Sequence, residues 1–526
     1  MIRFLRFTLA AALVAATWGA AAAETTLSVN DPGTGVFDQP NATFSGSTVY
    51  VAFIGGDSAS GPFRVFFAAV NGAADFTNLQ LQRGGTVLPI PPFAIDGTGA
   101  GGNSPYFDAR HPKIALRKTS EAVILFQARP ASTDNVYRPY IARVALSGNT
   151  ATLVSVRQIE GFPAGALPNG DNLSTGDIED ISFSLLLADG TARMAFASRP
   201  AIASATPFHV YFARVGLDTA TVAGTPLLLS SGTGDTVTGS DGFRPTPSLR
   251  LDGKNRAHVA WAANGSTPTA SGVYYALVTS TAAADTIAIG ATEVLGRSLP
   301  WGHPSALPTV DRHTVVVATD ESIPGKAGSM GIVNIDPDAV VHNGLPVSIG
   351  LARTFLLAGP TVMPASFDSY RPEVFLDILE QIHVAGYGAS GTLANYYAIS
   401  TTGQAPFVNF AFATPPISVG IGTSETPAEL PDDYTRTAFA VLTRRTIAFW
   451  SGRIPGSANR NLDFTSVPNN SFTPAVEEGC SMAGSPGAGE TERIPGILFI
   501  FLPAAALALR RIQISIRRRL GRGIAD

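Results

Sequence analysis

Apolar residues gather along this chain in runs of five to eight, and the runs recur with a shared grammar. The best-preserved stretch lies between Arg244 and Gly296. It opens Arg244-Pro245 and continues Pro247-Ser248-Leu249-Arg250-Leu251-Asp252-Gly253. Ala257-His258-Val259-Ala260-Trp261 follows, then a polar loop, then Val273-Tyr274-Tyr275-Ala276-Leu277-Val278, and last an apolar piece ending Val294-Leu295-Gly296. Short runs, alternating or wholly apolar and bounded by turn residues, predict strands packed on both faces. The stretch therefore reads as four strands.

Copies of it occur along most of the sequence. An aromatic pair followed by alanine marks the third strand: Phe66-Phe67-Ala68, Tyr211-Phe212-Ala213, Tyr274-Tyr275-Ala276 and Tyr396-Tyr397-Ala398, with Tyr140-Ile141-Ala142 as a looser copy. Successive spacings are 74, 71, 63 and 122, and the last gap holds one further unit, with Gly331-Ile332-Val333 in the marker's place. A second marker opens the units: Gln39-Pro40, His111-Pro112, Arg244-Pro245, His303-Pro304 and Arg371-Pro372. Proline is tolerated where a strand begins and not within it. The unit near Asp180 lacks the proline, and a last one opens near Tyr434. Seven units of about 60 to 70 residues result. Such a unit cannot bury both faces alone, so the array must close. We expect an all-β, seven-bladed β-propeller over residues 24–467. In the last unit, Leu462-Asp463-Phe464-Thr465 would be followed by a missing strand, which Leu27-Ser28-Val29-Asn30 would supply.

These repeats (RPSLRLD, AHVAW, VYYA) resemble sialidase-like, BNR-type propeller repeats. The resemblance implies a propeller and admits a glycoside hydrolase acting on anionic glycans. Two features depart from it. No Ser-x-Asp-x-Gly-x-Thr-Trp box is present, Ser400-Thr401-Thr402-Gly403 being at best a remnant, and no nucleophilic tyrosine with a glutamate partner is assignable.

Composition narrows the class. The 526 residues carry 36 Lys plus Arg and 40 Asp plus Glu, a formal net charge of −4, so there is no nucleic-acid footprint. The start reads as a signal peptide: Arg3 and Arg6, an apolar stretch from Phe7 to about Ala16, and Ala21-Ala22-Ala23 before cleavage after Ala23. Residues 468–493 are rich in Gly, Pro and Ser and read as a stalk. Residues 494–512 (IPGILFIFLPAAALALRRI) read as a transmembrane helix, and the arginines of 513–526 would hold the tail in the cytoplasm. The body would then lie outside the cytoplasm, attached to the cell envelope. Cys480 is the one cysteine, so no internal disulfide supports the fold.

The order of Gly479-Cys480-Ser481, apolar segment and arginine cluster resembles bacterial C-terminal sorting tails of the MYXO-CTERM and JDVT-CTERM kind. That resemblance implies a rhombosortase- or exosortase-type protease as a partner, cleavage near Cys480, and a product retained at the surface or released.

Candidate chemistry lies where strands open. Arg110, His111, Arg244, His303 and Arg371 stand at unit openings, and Arg129 and Arg199 in the loops after second strands. A ring of such cations from separate units would hold carboxylate or sulfate groups. The plainer account makes Arg/His-Pro a repeat element whose side chains bond neighbouring loops. No HExxH, CxxC or Gly-x-Ser-x-Gly spacing occurs, so no catalytic residue, metal site or cofactor is assigned. Asp171, Asp177, Glu179 and Asp180 read as a solvated acidic turn; Ca²⁺ is the alternative. His258 and His383 read as core histidines. The expected function is a binding module for an extracellular protein or glycan, the glycosidase being the alternative.

Overall fold

The computed structural model describes residues 25–27, 36–58, 61–73, 89–96, 105–186, 190–200, 207–230, 245–263, 271–281, 284–299, 301–308 and 314–320. It further describes 329–338, 353–356, 368–376, 382–389, 393–399, 417–418, 437–442, 445–453 and 460–468. The described residues all belong to one compact unit, Met1–Pro474. The expected signal peptide, the transmembrane segment and Gly479, Cys480 and Ser481 lie outside the described residues. No helix among the described residues is long and apolar enough to cross a membrane.

The described chain is all-β. Five sheets are four-stranded antiparallel meanders in chain order. The first comprises β6 (Asp108–Lys118), β7 (Glu121–Arg129), β8 (Arg138–Ser147) and β9 (Thr150–Gln158). The second comprises β10 (Asp177–Leu186), β11 (Thr191–Arg199), β12 (His209–Gly216) and β13 (Thr221–Leu228). The third comprises β14 (Ser248–Leu251), β15 (Ala257–Ala263), β16 (Ser271–Ser280) and β17 (Asp285–Leu299). The fourth runs from β18 (Trp301–Pro308) through β19 (Thr314–Asp320) and β20 (Ser329–Ile335) to β21 (Arg353–Leu356). The fifth runs from β22 (Asp368–Leu376) through β23 (Ile382–Ala389) and β24 (Leu393–Ile399) to β25 (Ile417–Ser418).

The sixth sheet has eight strands. It joins the meander β2 (Val36–Ser45), β3 (Thr48–Gly56), β4 (Arg64–Asn71) and β5 (Ile90–Ala94) to β26 (Thr437–Val441), β27 (Arg445–Arg453) and β28 (Arg460–Pro468). The junction is one parallel pairing, Val36 with Arg460. On the same edge, opposite β27, β28 also takes β1 (Thr25–Leu27) antiparallel, Thr25 opposite Phe464 and Leu27 opposite Leu462. The pairing segment thus ends at the leucine where it was expected to begin; residues 28–30 lie outside the described set.

Burial follows strand position. The second strands β3, β7, β11 and β15 are buried almost throughout, whereas β9 alternates between exposed and half-buried. A second strand has a neighbour on either side and sheets over both faces. Its period-two alternation divides it between two cores. Ile124 and Phe126 pack with Phe67 and Tyr140 of one cluster, while Val123 and Leu125 pack with Phe196 and Tyr211 of the next. The aromatic pair serves the same end. Tyr274 joins Phe212 and Trp261, while Tyr275 faces Val316 and Val333. Tyr140 and Ile141 divide likewise, as do Tyr211 and Phe212. Fully burying one such side chain contributes roughly 2–3 kcal/mol. A further cluster joins Phe37, Val51 and Phe53 to Ala438, Ile447 and Phe449, so the first sheet segment packs on the last.

First strands share a bulge. The register skips between Asp38 and Asn41, Arg110 and Lys113, Glu179 and Ser182, Gly302 and Ser305, and Tyr370 and Glu373. Within the bulge Gln39, His111 and Asp180 adopt φ of 54°, 51° and 50°, in the left-handed region. Thr246 does so at 39°. The opening of the third sheet is therefore Thr246-Pro247. Arg244-Pro245 lies two residues earlier, which corrects the alignment expected from the sequence.

Candidate functional site

The bulges and the ends of the second strands share one edge of the sheets, and the charged residues collect there. Two aspartates organise them. Asp108 opens β6 directly opposite Arg129, and Asp177 opens β10 directly opposite Arg199. Cross-strand pairing at the end of a ladder thus sets each carboxylate beside a guanidinium.

Asp108 is 1% exposed. Its Oδ1 accepts the Phe63 amide at 2.8 Å. Its Oδ2 accepts Arg129 Nη2 at 3.2 Å and the Tyr137 hydroxyl at 3.1 Å, with Arg110 Nε at 3.6 Å. Arg110 lies over the Phe63 ring at 5.2 Å, and Arg129 over the Phe107 ring at 5.5 Å. The two guanidinium side chains remain 23% and 26% exposed. Burial pushes the Tyr137 phenol up to about 12 against the pull of Arg110, and its bond to Asp108 adds to the rise. It therefore stays a donor at neutral pH.

The second aspartate is enclosed. Asp177 Oδ1 accepts the Tyr137 amide at 2.8 Å, and its Oδ2 lies 3.3 Å from Arg199 Nε. Arg199 Nη2 reaches Glu179 Oε1 at 3.2 Å, and the guanidinium lies over the Phe208 ring at 4.4 Å. Only 8% of the Arg199 side chain is exposed. Tyr137 links the two groups through its amide and its hydroxyl.

His111 connects adjacent sheets. Its amide donates to Gln39 Oε1 at 2.7 Å, its Nδ1 lies 3.3 Å from Asp180 Oδ1, and the Asp180 amide donates to Gln127 Oε1 at 2.7 Å. Of the cations named from sequence, Arg110 and Arg129 share Asp108, His111 faces Asp180, and Arg199 is sealed between Asp177 and Glu179. His303 and Arg371 occupy the bulges of β18 and β22; their side chains and all of Arg244 lie outside the described residues.

The acidic stretch is no solvated turn. Asp171 is 1% exposed, Asp177 0%, Glu179 1% and Asp180 6%. Each is buried because a cation or hydroxyl from a neighbouring strand meets it. Among the described residues no group of three or more His, Cys, Asp or Glu is placed to hold a metal. Sequence reasoning missed Asp108 and Tyr137. A signal was present: Asp108 and Asp368 each stand four residues before the bulge proline.

No protein-family model and no curated protein matches the chain. Among solved structures it is similar to the Hadza microbial sialidase Hz136 at 9% identity and a TM-score of 0.42, over 78% of this chain and 74% of that one. A protein of unknown function from Dyadobacter fermentans is similar at 14% identity and a TM-score of 0.43, over 69% and 95%. The polysaccharide lyase Uly1 is similar at 10% identity and a TM-score of 0.41, over 81% and 89%. At these scores none of the three bears on what this chain binds or does.

Proposed function

We propose that the protein is an exported, envelope-attached β-propeller of seven blades that binds an anionic extracellular glycan or protein segment at the strand-opening edge. The sheet pairings support the blade number: five separate meanders, the meander β2–β5, and β26–β28 completed by β1. The observation that carries the binding role is the Arg110–Asp108–Arg129 arrangement. Two guanidinium groups, each about a quarter exposed, are fixed on one buried carboxylate, each backed by an aromatic ring. Their donors are oriented before a ligand arrives, which lowers the entropy lost on binding. A carboxylate or sulfate is their natural complement. The neighbouring carboxylates Asp177 and Glu179 are committed to Arg199, which favours a binding role over a paired-carboxylate hydrolase.

The test is a glycan array carrying carboxylated, sulfated and neutral oligosaccharides, probed with the purified full chain. Binding to the charged set should fall at least about tenfold in Arg110→Ala/Arg129→Ala, one such contact being worth about 1.5–3 kcal/mol. Equal binding by that variant overturns the reading. Attachment is tested separately by mass spectrometry of the C-terminus at the cell surface: processing near Cys480 is expected, and an intact Asp526 excludes the sorting tail.

A further inference from the structure

The edge of the sheets away from the guanidinium pair has a charge pattern of its own. There lie the connections from first to second and from third to fourth strands. Three times in succession, an aspartate in a third-to-fourth connection meets two cations of the preceding sheet. Asp218, between β12 and β13, takes Arg117 of the first sheet through both oxygens, at 2.9 and 3.2 Å, and Arg143 at 2.7 Å. Asp285, where β17 begins, takes Arg214 of the second sheet through both oxygens, at 2.7 and 3.2 Å, with Arg193 at 3.7 Å. Asp338, just after β20, takes Arg256 of the third sheet at 2.5 Å and Lys254 at 2.9 Å. A bidentate contact fixes orientation as well as distance, so these aspartates set how one sheet seats on the next.

The three clasps differ in exposure. In the first, 58% of the Asp218 side chain is exposed. In the third, Lys254 is 46% and Asp338 34% exposed. The middle clasp is enclosed, with Arg193 at 0%, Arg214 at 9% and Asp285 at 10%. Salt screens an exposed pair and acts much less on a buried one. The two exposed clasps also have a second feature in common. Glu121 lies beside both Arg117 and Arg143, and Asp252 beside Arg256, so these arginines keep an acidic partner in their own sheet when the aspartate of the next sheet leaves. Apolar clusters span all three junctions, and their packing does not rest on charge. Release of a clasp therefore loosens one edge without separating the sheets.

We propose that the Asp218 and Asp338 clasps are a lock operated by ionic strength, and that the second and third sheets stay joined between them as one body. At low salt all three junctions are shut. As salt rises, the connections carrying Asp218 and Asp338 come away from the sheets before them, while Asp285 holds. The lock does not depend on what the strand-opening edge binds.

Backbone amides that donate across the junctions read the lock by hydrogen exchange on the full chain. At the first junction the Glu160 amide donates to the Ala220 carbonyl at 2.9 Å and the Val222 amide to the Glu160 carbonyl at 2.8 Å. The Leu249 amide crosses the second to Ser182 Oγ at 3.0 Å, and the Ala306 amide crosses the third to Ser248 Oγ at 3.3 Å. Raising NaCl from about 0.01 M to about 1 M shortens the screening length from about 30 Å to about 3 Å. Exchange at Glu160, Val222 and Ala306 should quicken roughly three- to tenfold, and exchange at Leu249 should not change. Asp218→Asn keeps the shape of the side chain and removes its charge. In that variant Glu160 and Val222 should exchange fast at both salt concentrations while Ala306 still responds, and Asp338→Asn should do the reverse. Constant rates at Glu160, Val222 and Ala306, equal acceleration at all four amides, or a salt response at Glu160 and Val222 that survives Asp218→Asn overturns the proposal.

Discussion

Thr25 stands directly opposite Phe464, so the first described strand is completed by the last. With β1 in place β28 is paired on both sides over this stretch; without it the edge of the final meander lies open. Deleting Glu24–Asp31 removes this ladder. Each backbone bond contributes about 1 kcal/mol, so the melting temperature should drop by several degrees. Calorimetry of the deletion variant reads the change, and an unaltered transition would show that β1 is not part of the closure.

Arg199 and Arg129 occupy equivalent places with different surroundings. Arg199→Ala strands Asp177 and Glu179 in the interior and should cost about 3–5 kcal/mol, read as a lower urea midpoint. Arg129→Ala leaves Asp108 with Arg110, the Tyr137 hydroxyl and the Phe63 amide, and should cost less than half as much. Equal losses would contradict the enclosure of Arg199.

Acid should weaken the third sheet in two stages. His258 is buried; its Nδ1 is 2.7 Å from both the Tyr275 and the Thr314 hydroxyl, and its Nε2 is 3.2 Å from Asp252 Oδ2. Burial lowers its pKa below 6.5, against the opposing pull of Asp252. The unfolded chain therefore takes up a proton first as pH falls below 6.5, and stability declines there. Burial would raise Asp252, but hydrogen bonds from His258 and from Arg256 outweigh it and hold its carboxyl well below 3.8. Its contribution is present above that value and lost as pH falls beneath it. Urea midpoints measured from pH 8 to pH 3 should show both declines. In His258→Gln the upper one should vanish, and its persistence would assign it to another group.

Thr246 carries a β-branched side chain at a φ of 39°, and its hydroxyl is buried with no hydrogen-bond partner among the described residues. Such backbone strain amounts to about 1–3 kcal/mol, more than the roughly 0.5–1 kcal/mol by which glycine's conformational freedom disfavours folding. Thr246→Gly should therefore raise the denaturation midpoint, and a lower midpoint would show that the side chain supports the bulge.

The repeat was legible because packing imposes it. The pairs Phe66-Phe67, Tyr211-Phe212 and Tyr274-Tyr275 each send one side chain to either neighbouring core, and that demand leaves a mark on those third strands. Gly331-Ile332-Val333, assigned by spacing alone, lies within β20. The site was less legible. In Arg244-Pro245-Thr246-Pro247 the X-Pro signal occurs twice, and the backbone angle, invisible in composition, selects the second. Arg199 and Arg129 were visible as cations, but their partners Asp177 and Asp108 lie about twenty residues away and meet them through strand register. The acidic stretch misled for the same reason: its neutralising groups come from other strands.

The division of Tyr274 and Tyr275 between two cores has a bearing on how substitutions combine. Adjacent along the backbone, the two rings belong to different clusters of the described core, whereas Tyr274 and Phe212, far apart in sequence, occupy one cluster. Energetic coupling follows shared partners. Paired alanine substitutions at 274 and 275 should add, while those at 212 and 274 should not. Any variation that alters this protein through its cores will be correlated between successive third strands rather than within one.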